Sequence, residues 1–164
     1  MFRLIPDASS LRDVDHLAQF FNNLTLRIGG AERGEIEEAV IDGFQANFRN
    51  EQSGNGRWPA LTLGTQRDRA WQGYAAAHPI LFRRGDYYDS LVDPSDGDHF
   101  SQAYISSNLF ALESGSESPL FPWHEGGTAN MPARSVTMLD TQAERHVGDT
   151  ITAMLNRLMA REGL

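Results

Sequence analysis

Residues 33–51, RGEIEEAVIDGFQANFRNE, place Ile36, Val40, Phe44 and Phe48 at intervals of four. Their side chains form one apolar stripe of a helix, while Glu37, Glu38 and Asp42 face away. Such a stripe has to be covered, so Phe44 and Phe48 read as core rather than as a ligand site. Two further stretches carry the same period. Residues 9–28 space Leu11, Val14, Leu17, Phe20, Phe21 and Leu24 by three and four, with Ser9 or Ser10 as a cap and Gly29–Gly30 as the stop. Near the other end, residues 140–163 put Val147, Ile151, Met154, Leu155 and Leu158 on one face, and Thr141 and Glu144 have capping-box spacing.

Between these helices the period breaks. Residues 50–66 carry Gly54, Asn55, Gly56 and Pro59 and read as a loop, with Trp58 pushed to an extended backbone by the proline after it. Residues 67–78 predict a short helix ended by Pro79, followed by a linking stretch, 79–93. In residues 100–112, Ile105, Leu109 and Ala111 share one parity and Phe110 and Leu112 the other, which predicts a strand buried on both faces in its later half. An exposed turn is expected at 113–120 and a strand start at 131–138. The order predicts an α+β fold: N-terminal helices and a C-terminal helix packed on a small antiparallel sheet, with long loops. A chain of 164 residues suits a single domain, with a helical part at about 9–50, a loop-rich middle at 51–100, and a sheet and terminal helix at 101–162.

Composition removes several classes of chemistry. The absence of cysteine excludes disulfides, thiolate metal sites and cysteine nucleophiles. All 14 cationic residues are arginine, which excludes Schiff-base lysines and phosphate-loop lysines. A net charge of −8 disfavours gripping nucleic acid by counterion release. No apolar run approaches the roughly 20 residues of a membrane span, and the N-terminal stretch lacks a signal-peptide core, so a chain that stays in the cytoplasm without membrane contact is expected.

The densest cluster of reactive side chains is FPWHEGGTANMPARSV, residues 121–136. His124–Glu125 begins like a helical zinc-protease motif, but position 128 is Thr where a second histidine is required. His16, His78, His99 and His146 fall in different predicted elements with no ligand spacing, so no metal or cofactor is expected. ESGSES at 113–118 lacks the buried strand of a nucleophile elbow, and DPSDGDH at 93–99 lacks the distal glutamate of a calcium loop. The enzymatic alternative is a small hydrolase using His124 with Glu125 or Asp140. Without a complete constellation, the expectation is that the chain is not an enzyme.

Phe48, GRWPALTLGT at 56–65, PILFRRGDYYDSL at 79–91, HEGG at 124–127 and MPAR at 131–134 together form an ordered pattern. It resembles that of the phage virion morphogenesis family, the tail completion proteins of Mu-like and P2-like tailed phages. The matching positions are Trp58, Leu61, Thr65, Arg67, Ile80, Leu81, Gly85, Ser90, Leu91, His124, Gly126, Pro132, Ala133 and Arg134, within roughly residues 44–160. The chain departs from that pattern at Phe121, Pro122 and Trp123, where the family has tyrosine-alanine, and at Ser135 and Val136, where it has proline-phenylalanine.

The resemblance implies a structural virion protein acting at the neck in head–tail joining or tail completion. A tail terminator or head stopper of the same neck is the alternative. It also implies a homo-oligomeric ring, a hexamer or a dodecamer, that meets other neck and tail proteins and lets DNA pass without specific binding. Its expected place is the virion, assembled in the host cytoplasm, and no catalytic residue is carried over. The structural positions are Trp58, read as a core aromatic, with Leu61, Gly85, His124, Gly126, Gly127, Pro132 and Arg134. Gly126 and Gly127 would permit positive φ and Pro132 would fix the entry to an edge strand. The His124 ring would bond a backbone group. Arg134 would either pair with a carboxylate, on the next subunit or on the second helix, or be an ordinary surface arginine. The loops 50–66 and 92–100 would order on docking.

Overall fold

The computed structural model describes residues 8–54, 56–106 and 109–164, and the side chains of 8–14, 25, 26, 105, 106 and 109 are outside that description. The first helix already runs from Ala8, so Ser9 and Ser10 lie inside it and neither caps its start, while Asn55 and the side chains of Leu11, Val14, Ile105 and Leu109 lie outside the described residues.

The fold is α+β. Its axis is α3 (Gly30–Asn50), which runs against the C-terminal helix α7 (Thr141–Arg161). Ile36 of α3 meets Met154 and Leu158 of α7, together with Phe20 and Ile28 from the N-terminal α1 (Ala8–Asn22) and the residues after α2 (Leu24–Arg27). Arg157–Glu35, Arg161–Glu32 and His146–Asp42 pairs flank the α3–α7 seam. Further along the stripe, Phe44 and Phe48 belong to a second cluster with Trp58, Ile80, Tyr87, Leu91 and Val136. Phe48 receives Trp58 edge-on at 5.9 Å and Tyr88 at 5.0 Å. Leu91 and Val136 are fully buried, and a side chain so buried contributes roughly 1.5–3 kcal/mol. The Phe44–Phe48 stripe is core.

Several elements differ from the sequence expectations. The helix over 9–28 is interrupted at Asn23, and of its stripe Phe20 is buried while Leu17 and Phe21 are exposed. The loop at 50–66 contains a short antiparallel hairpin, β1 (Gln52–Ser53) and β2 (Gly56–Arg57). The next helix, α4 (Leu63–Trp71), starts and ends early because Thr62 caps it and a Schellman motif closes it. Thr62 Oγ1 accepts from the Thr65 amide, while Gly73, at φ +83°, donates to Ala70 O and Tyr74 to Arg69 O. The linking stretch 79–93 contains α5 (Asp86–Val92), which buries Tyr87, Ser90 and Leu91. Gly85 precedes it at φ +105°, a conformation open to glycine.

The single strand expected over 100–112 is instead two antiparallel strands, β3 (His99–Ser106) and β4 (Leu109–Ser116), paired from His99↔Ser116 to Ser106↔Leu109. Consequently 113–116 belongs to a strand rather than to an exposed turn. No strand forms at 131–138; only a bridge between Thr128 and Met131 is present. The short helix α6 (Phe121–Gly126) consumes the donors a strand would need. Arg134 N donates to His124 O, and Val136 N and Thr137 N donate to the Glu125 carboxylate. At α7 the cap is Asp140, whose Oδ1 accepts from the amides of Gln142 and Ala143, one position earlier than the predicted Thr141 box.

Candidate functional site

Five of the residues carrying the resemblance, Trp58, Leu61, Gly85, His124 and Arg134, meet at one junction, where α6 and the segment 127–138 close over the 58–61 segment and α5. Trp58 donates its indole N–H to Ser135 O at 3.0 Å, and Leu61 packs on the same cluster. Arg134, 4% exposed, donates from Nε to Pro59 O at 2.9 Å and from Nη2 to Ala60 O at 3.2 Å. Neither a carboxylate partner nor a surface position, as expected from sequence, is what it has. Its planar fork suits two successive carbonyls, and burial lowers its pKa from the ordinary value.

His124 is also placed differently from expectation. Its ring lies against Tyr87 at 4.6 Å, and its buried Nδ1 has no hydrogen-bond partner. The loop is held by its main-chain carbonyl, which accepts from Arg134 N at 2.7 Å. Burial, and then the neighbouring Arg134 cation, lower the His124 pKa against a smaller opposing pull from Glu125.

Glu125 is the hub that sequence reading weighed only as a hydrolase acid. Its carboxylate accepts from Ser135 Oγ at 2.5 Å, Val136 N at 2.7 Å, Thr137 N at 3.3 Å, Thr137 Oγ1 at 2.7 Å and Tyr87 Oη at 3.3 Å. Burial, then this carboxylate, raises the Tyr87 phenol well above its usual range. Asp140, the other acid considered, is occupied at the α7 cap and by Gln52 Nε2. Of the positions where the chain departs from the family pattern, Ser135 reaches Glu125 through its hydroxyl and Val136 through its main-chain amide.

The two glycines separate in role. Gly127 adopts φ +71°, ψ −178°, and a Cβ there would stand 2.7 Å from Ala133 N and 2.8 Å from Met131 O. Gly126 is the last residue of α6, has no positive φ, and would meet nothing within 4 Å. The expectation of positive φ therefore holds at Gly127 and is corrected at Gly126. Pro132 lies exposed in an irregular segment, not at a strand entry, since the following amides are spent on α6.

Two buried polar residues had no sequence signal beyond their helices. Asn47 on α3, 1% exposed, donates from Nδ2 to Val136 O and Met138 O at 2.7 and 3.0 Å. Arg69, 5% exposed, donates to Pro79 O and Phe82 O. The pattern position Arg67 is exposed instead. Among the described residues, no three of His, Asp and Glu gather to hold a metal ion, and no helix is long and apolar enough to cross a membrane.

Comparisons of the chain with protein-family models, with curated proteins and with solved structures return no match.

Proposed function

We propose that the chain is a structural protein of a tailed-phage virion, acting at the neck in head–tail joining or tail completion as a ring of identical subunits around the DNA channel. One observation carries this reading. The widely separated residues of the family pattern, Trp58, Leu61, Gly85, His124 and Arg134, meet at a single junction and there serve architecture. Aromatic packing, paired carbonyl contacts and a glycine-only turn give the junction one rigid shape, which suits a docking part. The negative charge of the chain suits a channel whose cargo must slide through.

The same geometry weighs against the hydrolase alternative. Glu125 and Asp140, the acids that would have oriented His124, already accept from several donors each. Deleting the gene from the phage or prophage that carries it, followed by negative-stain electron microscopy of the lysate, tests the proposal. Filled heads and finished tails lying apart are the expected result. Intact infectious particles would overturn it.

A further inference from the structure

Helix α4 inverts the usual amphipathic rule. Its single buried residue is a cation, Arg69, whereas Leu63 and Trp71 are 70% and 87% exposed. Arg69 sits at a cavity of about 510 Å³ between α4, the start of α5, α6 and residues 131–134. Arg83, Arg84 and Arg134 line the same cavity, over apolar walls from Leu61, Leu81 and Leu120. Asp68 and Asp86 also line it, which leaves the four arginines in excess. Among the described residues, none of the four has a carboxylate within ion-pair distance, and the buried Nε of Arg69 has no hydrogen-bond partner. In a chain of net charge −8, an excess of cations gathered in one concave site, four arginines against two aspartates, indicates an anionic group that arrives from outside.

The complementary charge stands at the other end of one helix. Gly85, Asp86 and Tyr87, where α5 begins, line the cavity, and the helix ends at Asp93. The turn that follows carries Asp93, Asp96 and Asp98, and among the described residues none of these has a cationic partner at ion-pair distance. The seven residues of α5 separate the two features by about 10 Å, at 1.5 Å per residue. A positive cavity and a negative turn at opposite ends of a short helix are suited to a head-to-tail contact, which builds rings when the rotation closes. A concave site with apolar walls fits a carboxylate-bearing turn better than a nucleic-acid backbone, which requires a long open groove.

We propose that the arginine-lined cavity of one copy receives the Asp93–Asp98 turn of a second copy, joining copies head to tail and covering Leu63 and Trp71. In its biological setting this contact rests on the neck-ring reading, as the contact between neighbouring subunits.

Sedimentation velocity of the full chain over a range of salt tests it, using Arg84→Glu and Asp98→Arg. Arg84 is exposed, and among the described residues the Asp98 side chain has no hydrogen-bond partner, so both variants should fold, which circular dichroism checks. Arg84→Ala and Asp98→Asn serve as milder forms should either reversal unfold the chain. The wild type is expected to self-associate and to weaken as salt rises. Each reversal should weaken association at least about tenfold, the consequence of opposing like charges. Mixing the two reversals should restore it, because the altered cavity of one variant then meets the altered turn of the other with opposite charges, and each native cavity still meets a native turn. A wild type that stays monomeric at every salt and protein concentration overturns the contact, as do variants that associate like the wild type. Either result, combined with heads and tails left apart by gene deletion, would remove this contact and leave the neck reading standing; salt-sensitive association with intact particles after deletion would do the reverse.

Discussion

The Val136 amide donates to Glu125 Oε1 at 2.7 Å while the Val136 side chain is fully buried beside Phe44, Phe48 and Trp58. One carboxylate on a six-residue helix thus fixes where the chain enters the core. Asn47 completes the arrangement from the other side by donating to Val136 O. The segment has no ladder partner, so these side chains take the place of a strand neighbour.

Replacing Glu125 with alanine should therefore act on folding. The variant would leave Val136 N and the Ser135 and Thr137 hydroxyls without their acceptor, and hydrogen bonds to a charged group contribute about 1.5–3 kcal/mol each, though not additively. An overall loss of about 3 kcal/mol is expected for Glu125→Ala in urea denaturation. Glu125→Gln should lose less, since hydroxyl donors can turn to accept from the amide. A Glu125→Ala midpoint equal to that of the wild type would show that the hub is not holding the segment.

The contrast between α3 and this junction explains what sequence could reveal. Ile36, Phe44, Phe48, Met154 and Leu158 are buried as their period of about 3.6 requires, because a repeated pattern reports a face whatever lies opposite. The α5 helix was legible in principle from Tyr87 and Leu91, four apart, but seven residues are too few for the pattern to stand out. The strand expected at 131–138 failed for a different reason. Whether Val136 N meets a strand or the Glu125 carboxylate depends on where α6 comes to rest, and no local rule encodes that. Arg134 reads as a surface or ion-pair cation because arginines are seldom buried, and Arg69 carries no signal at all; the partners of both are main-chain carbonyls, which every residue possesses and none advertises. Trp58, His124 and Arg134 thus stood out in the sequence, whereas Asn47, Arg69 and the bonds that join these residues did not.

Gly127 and Gly126 give a paired test of the turn. Gly127→Ala puts a methyl group within 2.7 Å of a backbone nitrogen and forces a side chain into a backbone region that is essentially glycine-only. The loss should be roughly 2 kcal/mol or more. Gly126→Ala, with open space and a helical position, should be neutral or stabilising by up to about 1 kcal/mol. Thermal unfolding of the two variants side by side checks both signs. Equal losses would mean that the positive φ at Gly127 does not constrain the fold.

His124 should make the junction sensitive to acid. Burial and Arg134 lower its folded-state pKa below the 6.5 of a free histidine, so above that value the ring is neutral both folded and unfolded and has no effect on the balance. As pH falls through 6.5 the unfolded chain takes up the proton first, and stability is lost until the pH lies below the folded-state pKa. His124→Phe keeps an aromatic ring against Tyr87 and removes the unpaired Nδ1 of the histidine. Every other ionisable residue is common to both proteins, so the comparison isolates the ring at position 124. Urea midpoints measured from pH 8 to pH 5 should thus diverge below about 6.5, with the wild type falling faster than His124→Phe. Parallel curves would mean that the ring reaches solvent and takes up its proton equally in both states.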